Sequence, residues 1–228
     1  MQKKEKAKNK KALLLLSGGI DSPVAGKRLQ EKGYELEAVH FSQEPFTDNT
    51  PELKSLLLSR KLGLKEVMIV DAGEEFKEIA DNTYREYYFV LIKRFMMQAA
   101  EKIAEKKGID FLATGESLGQ VSSQTMSNLN TINQAAKIEI LRPLLFMSKQ
   151  EIIDISVKEN FFDISKGPEM CDALASGKPK TKSKLFEVKK QEERVKIEEL
   201  VENALKKIRV EDTSKEIKLE EKVERVCK

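Results

Sequence analysis

The chain has 228 residues, 40% of them hydrophobic and 35% charged, with a formal net charge of +3; that length holds one ample core, and so small a charge does not demand a nucleic-acid partner. No stretch approaches the ~20 apolar residues of a membrane span, and the charged start with its short apolar run does not make a signal peptide. Two cysteines, Cys171 and Cys227, exclude a disulfide framework and fit a reducing cytosol, while a lone histidine, His40, is too few for a Cys/His zinc site or a Ser-His-Asp triad.

In chain order, residues 1–11 hold six lysines against one glutamate and read as a basic leader. A solvated tail is the plain reading of such a run, and a weak attraction for phosphate backbones the functional one. Lys178, Lys180, Lys182 and Lys184 form a second cluster open to the same two readings. Ala12–Leu16 is a buried strand and Ser22–Lys32 a helix stopped by Gly33. Leu36–Phe41 is a second strand, Pro51–Leu62 a helix stopped by Gly63, and Glu66–Val70 a third strand. Apolar residues at helical spacing predict one long helix over Ile79–Lys107, closed by Gly108. Phe111–Thr114 and Glu139–Leu141 are the fourth and fifth strands, and helices follow at Lys149–Glu159 and Leu185–Lys207. The residues from Glu211 on are almost all charged and read as frayed helix or disordered tail. Short apolar strands alternating with helices predict an α/β fold with a doubly wound, five-stranded parallel sheet. The expected division is a leader (1–11), one catalytic domain (12–209) and a charged tail (210–228).

The most telling stretch is Ser17-Gly18-Gly19-Ile20-Asp21-Ser22, directly after the first strand. Glycines at a strand end let backbone N–H groups approach a ligand, and the following helix aims its free N–H groups and positive dipole end at the same place. A phosphate suits that site. Asp21 beside it then calls for a cation, and ATP with Mg²⁺ meets the need. The run is neither a Walker A loop nor the dinucleotide G-x-G-x-x-G. A second polar run, Thr114 to Thr125, follows the fourth strand. Its glycines allow close approach and its Gln, Ser and Thr offer uncharged donors and acceptors, which suits a nucleotide as well as it suits a plain surface loop.

The loop resembles the SGGxDS signature of the PP-loop ATP pyrophosphatases, whose fold is that of the Rossmann-like adenine nucleotide alpha-hydrolases. Further motifs narrow the resemblance: Gly115-Glu-Ser-Leu-Gly-Gln-Val-Ser-Ser-Gln124, His40-Phe41 with Pro45-Phe46-Thr47, Lys93-Arg94-Phe95-Met96-Met97, Leu141-Arg142-Pro143-Leu144, Met147 to Ile153, and Pro168-Glu169-Met170-Cys171. In this order, over about Lys11 to Val195, they are similar to the ThiI family, the tRNA uridine 4-sulfurtransferases. The resemblance implies an ATP site of Leu15, Leu16, His40, Phe41, Lys93, Gly115 and Gln124, with Ser17, Gly18, Gly19, Asp21 and Ser22 on the phosphates and Asp21 on Mg²⁺. Lys93 or Arg94 would balance phosphate charge, and His40 either touches adenine through its backbone or is a satisfied core histidine. Cys171 takes the place of the sulfur-transferring cysteine, although a lone cysteine is more often a small buried hydrophobe. Cys227 is either a free surface thiol or a mobile resolving thiol. The implied activity is adenylation of uridine at position eight of tRNA and replacement of its O4 by sulfur, with a further role in supplying sulfur for the thiazole of thiamine. Two alternatives stand beside it: another PP-loop adenylating ligase or amidotransferase, with Cys171 structural, or a non-catalytic ATP-binding module working with a separate THUMP subunit. Longer members of the family carry an RNA-binding THUMP region, some a rhodanese domain, and some archaeal relatives a cysteine pair for an iron–sulfur cluster. None of these is recognisable here. A separate THUMP-containing protein, a cysteine desulfurase or other sulfur donor, and a homodimer bringing two basic surfaces to one tRNA are the partners this implies.

Overall fold

A computed structural model describes residues 10–119, 124–166, 174, 178–215 and 217. The chain runs β1 (Lys11–Leu15), α1 (Asp21–Glu31), β2 (Glu35–Ser42), α2 (Thr50–Lys61), β3 (Glu66–Asp71) and α3 (Gly73–Asn82). A 3-10 turn (Arg85–Tyr87) leads into α4 (Tyr88–Lys107), β4 (Phe111–Ala113), α5 (Met126–Asn133), β5 (Ile140–Leu141), α6 (Lys149–Lys158) and α7 (Phe162–Ser165). Then come α8 (Leu185–Val195), α9 (Ile197–Leu205) and β6 (Ile208–Asp212).

The strands lie in the order β5-β4-β1-β2-β3-β6. The five expected strands run parallel to one another, with Leu15 opposite Val39 and Leu14 opposite Ala113. Strand β1 shows why both faces are covered. Ala12, Leu14 and Leu16 point into one apolar layer with Val24, Leu29, Leu58 and Ile152, and Leu13 and Leu15 into the other with Phe76, Leu91, Phe95 and Val201. Successive side chains alternate across a strand, so an unbroken apolar run buries on both sides. After β1 the chain builds outward to β2 and β3, then crosses by α4 to β4 on the other flank. That reversal opens a crevice beyond the carboxyl end of β1.

Three expectations need correction. The sheet has six strands rather than five: β6 pairs antiparallel with β3 at the edge, from Glu66 opposite Asp212 to Val70 opposite Ile208. The boundary set after residue 209 therefore cuts a strand, and Glu211 and Asp212 are neither frayed helix nor disordered tail. The charged residues there are compatible with an edge because only one flank is paired, and Arg209 reaches Asp71 at 3.5 Å and Glu211 at 3.1 Å. The helix expected over Ile79–Lys107 is two helices. Thr83 is extended (φ −122°, ψ 170°), and the break is held by its hydroxyl donating to the Ile79 carbonyl at 2.6 Å and by Gln191 accepting the Tyr84 N–H at 3.1 Å. The last helix likewise splits at Lys196, a residue with φ of 48°. Its apolar period stayed continuous because Val188 and Val195 before the break, and Val201 and Ala204 after it, join one core.

Candidate nucleotide site

The loop from Ser17 to Ser22 closes on itself by local polar contacts. The Ser22 hydroxyl, in the first turn of α1, accepts the Ser17 N–H at 3.2 Å and lies 3.3 Å from the Ser17 hydroxyl. Gly18 holds φ of +84°, and a Cβ there would stand 2.8 Å from the Pro51 carbonyl oxygen. Only glycine combines that backbone with that approach. Helix α1 begins after Ile20, which gives no side-chain cap, so its first N–H groups keep their capacity for an anion. Gly115 packs from the β4 side: a Cβ on it would lie 2.6 Å from both the carbonyl carbon of Asp21 and the nitrogen of Ser22.

Two adjoining pockets meet at this loop. One, of about 120 Å³, lies beyond β1 and β2 and is lined by Leu15, Leu16, His40 and Phe41, with Phe76, Ile92 and Met96 across it. Its walls are mostly apolar, which suits a planar base. The other, of about 280 Å³, is lined by Ser17, Gly18, Gly19 and Asp21, and by Thr50, Lys54 and Ser165 opposite them. Ser17, Gln43 and Pro51 belong to both, so a base in the first and phosphates in the second can form one molecule.

His40 is buried, and its Nδ1–H donates to the Leu16 carbonyl at 2.8 Å, since a carbonyl can only accept. Burial pushes its pKa down, against the pull of that hydrogen bond. The ring is neutral and held in place, which argues against proton transfer. Asp21 does not stand alone. Lys149, the first residue of α6, reaches its carboxylate at 2.8 Å. Ser148 and Glu151 fix that helix start with a reciprocal capping box.

Behind Gly115 sits a buried carboxylate. Glu116 accepts from Lys93 Nζ at 2.6 Å, from Arg142 Nε at 2.9 Å and from the Thr114 hydroxyl at 3.2 Å. Burial alone would raise its carboxyl, but the two cations outweigh it and hold the pKa at about 2. Lys93 is thus committed to Glu116 beside the pockets rather than lining them. Gln124 accepts the Ser117 N–H at 3.2 Å and braces the same loop. Arg94 is corrected as a phosphate partner: it is buried and bound to Glu192 through Nε at 2.8 Å and Nη2 at 3.0 Å.

The structure therefore brings together Leu15, Leu16, Ser17, Gly18, Gly19, Asp21, Ser22, His40, Phe41 and Gly115, while Lys93 and Gln124 stand one layer out. Cys171 and Cys227 lie outside the described residues. Sequence reasoning missed Gln43, Lys54, Lys149, Ser165 and the Glu116 cluster. Lys149 stood within a quoted motif, but nothing local said that it faces Asp21. Among the described residues, no three or more His, Cys, Asp or Glu side chains gather to hold a metal. Asp21 fits a Mg²⁺ whose other ligands are phosphate oxygens and water, the usual arrangement for that ion. No helix among the described residues is long and apolar enough to cross a membrane.

Comparison with known proteins agrees with this geometry. The family described as "Thiamine biosynthesis protein (ThiI)" matches residues 7–197. A probable tRNA sulfurtransferase from Alkaliphilus oremlandii is 39% identical over 212 residues, 90% of this chain and 54% of that protein. Another, from Brevibacillus brevis, is 40% identical over 208 residues, 89% of this chain and 52% of that protein. The chain thus spans about half the length of these relatives. Among solved structures, a 4-thiouridine synthetase in complex with RNA and ATP aligns with a TM-score of 0.82 and 34% identity, covering 89% of this chain and 55% of that one. The NH3-dependent NAD synthetase of Campylobacter jejuni, at 16% identity, 89% and 87% coverage and a TM-score of 0.52, shares the fold.

Proposed function

This chain belongs to the ThiI family, and from that premise we propose that it is the ATP-dependent core of a tRNA uridine 4-sulfurtransferase. The observation that carries the reading is the joined pair of pockets, apolar beside His40-Phe41 and polar beside Ser17–Asp21, shaped for one ATP. It is supported by a relative of the same architecture whose crystals hold RNA and ATP.

In this reading adenine lies against Leu15, Leu16 and Phe41, and the loop N–H groups hold the phosphates. The O4 of the uridine at tRNA position eight attacks the α-phosphorus and pyrophosphate leaves, which turns a poor leaving oxygen into the good leaving group AMP. Donors aimed at the departing pyrophosphate stabilise the charge that grows there: the N-terminus of α1, the loop amides and the nearby lysines. Mg²⁺ at Asp21 would neutralise part of that charge. Asp21 already holds the Lys149 ammonium at 2.8 Å, so a Mg²⁺ held there would share the carboxylate with it. Glu116 keeps Lys93 and Arg142 in place and the Gly115 turn pressed against α1.

Sulfur then displaces AMP at carbon four. Cys171 serves this step in one of two ways. Its own persulfide attacks carbon four as AMP leaves, and a second thiol then cleaves the resulting disulfide and releases the thiouridine; or its thiolate attacks the persulfide of a donor, forming a mixed disulfide and freeing the outer sulfur as sulfide. A cysteine desulfurase is the fitting donor. A THUMP-containing protein would deliver the tRNA, and the same sulfur would serve thiamine thiazole synthesis.

The test is nucleoside mass spectrometry after incubation of tRNA, ATP and sulfide with the pure protein. 4-Thiouridine is expected at one position, with AMP and pyrophosphate in equal amounts. Its absence from tRNA shown to be bound would sink the proposal. Cys171→Ser separates the steps: with a persulfide donor it is expected to stop thiolation while ATP still binds, and full thiolation by the variant would remove Cys171 from the route.

A further inference from the structure

The phosphate pocket has a second wall that the loop motif does not supply. Lys54, on the second turn of α2, lines it directly across from Gly18, its Cβ 3.2 Å from where a Cβ on Gly18 would stand. Among the described residues that line the pocket, it is the one cation. Its ammonium donates to the carbonyls of Ser165 at 3.2 Å and Lys166 at 3.0 Å, which brings the end of α7 to the same place. Ser165 lines the pocket too. Only 5% exposed, it buries its hydroxyl oxygen with no hydrogen-bond partner among the described residues. A buried hydroxyl without a partner is costly, and its survival beside a lysine in a phosphate-sized cavity asks for a ligand.

We infer that Lys54 and Ser165 bind the terminal phosphates of ATP, closing the pocket from the side opposite the loop. The assignment rests on the ATP reading above and deepens it. A nucleotide whose base lies beyond β1 and β2 runs its phosphates past Ser17, which belongs to both pockets, toward the wall formed by Lys54 and Ser165. AMP ends before reaching that wall, whereas ATP and free pyrophosphate reach it. The Lys54 ammonium takes a charge-assisted contact to a phosphate oxygen, and the Ser165 hydroxyl donates to another. The pair thus grips the leaving group of the adenylation step rather than the part that stays with the RNA. It also links α2 and α7 through one ammonium, so an occupied pocket draws both helices to the same anion.

The distinguishing experiment is titration calorimetry of the full chain with Mg²⁺-ATP, pyrophosphate and AMP, on the wild type, Lys54→Met and Ser165→Ala. Lys54→Met is expected to weaken ATP and pyrophosphate about ten- to a hundredfold and AMP by no more than about twofold. Ser165→Ala is expected to weaken ATP about three- to tenfold. It should leave the ligand-free melting temperature unchanged or higher, because it removes an unpartnered buried hydroxyl. A structural role would instead lower affinity for all three ligands by one factor. That pattern, or ATP affinity unchanged in both variants, overturns the inference while leaving the ATP reading standing. A wild-type chain that binds no ATP overturns both. If Lys54→Met fails to fold, Ser165→Ala decides alone.

Discussion

Replacing Glu116 by Gln tests the buried cluster that holds the site together. The carboxylate is 7% exposed and stands between the Lys93 ammonium and the Arg142 guanidinium. Its pKa is lowered from an ordinary 4.5 to about 2 in the fold. At about 1.4 kcal/mol per tenfold, that preference for the charged form is worth on the order of 3 kcal/mol. Gln keeps the shape but removes the charge, and leaves two cations facing each other in a partly dry site, so the loss at pH 7 should fall in the range of about 3–5 kcal/mol. The sign with pH follows from linkage. Because the folded pKa lies below the unfolded one, the contribution is complete above about pH 4.5 and is lost as pH falls toward 2. Urea unfolding of both proteins from pH 7 down to pH 3 measures this. The gap between them should stay constant to about pH 5 and shrink by roughly half by pH 3. A loss under about 1 kcal/mol at pH 7, or a gap that does not narrow on acidification, would refute the placement of a charged Glu116 between these cations.

Other perturbations reach other parts of the site. Gly115→Ala sets a Cβ 2.6 Å from the backbone of Asp21 and Ser22, which cannot yield as a side chain could; expected are a stability loss of about 1–3 kcal/mol by thermal melt and a loss of ATP binding by calorimetry. Normal ATP affinity would show that Gly115 does not pack against the loop. Arg94→Met leaves the buried Glu192 charge with only the Gln98 amide and should cost about 3–5 kcal/mol in urea while changing the ATP affinity of the folded protein no more than about twofold. The opposite pattern would return Arg94 to the phosphates. His40 is the one histidine of the chain, and its pKa is lowered in the fold, chiefly by burial. Below about pH 6.5 the unfolded chain takes up a proton there that the folded chain refuses, so stability should fall as pH drops through that value. His40→Gln should flatten that part of the urea-midpoint profile, and an unchanged slope would refute the buried neutral ring.

Much of the site was legible because it is local. The apolar run Ala12–Leu16 followed by Ser17–Ser22 specifies a strand, a tight turn and a helix start within about a dozen residues, and such a unit can take few other shapes. Glycine stops at Gly33, Gly63 and Gly108 were equally plain, and each has a positive φ as such a stop requires. The helix breaks at Thr83 and Lys196 were hidden, because the apolar residues on either side serve the same core and keep one period. Strand β6 was hidden for a different reason. An edge strand is held by its backbone to β3 on one flank, and its side chains, such as the exposed Val210 beside charged neighbours, advertise no buried face.

By itself, then, the sequence determined the parallel sheet, the phosphate loop after β1 and the family to which the chain belongs. These depend on order and spacing along the chain. Only the tertiary structure decided which charges meet: Lys149 with Asp21 across 128 positions, Arg142 with Glu116 across 26, and Lys54 with the carbonyls of Ser165 and Lys166 across more than a hundred. A lysine in a polar stretch looks the same whether it is solvated or aimed into a pocket. Its role is set by the partner that folding brings within about 3 Å, where a carboxylate, a carbonyl or a phosphate replaces water.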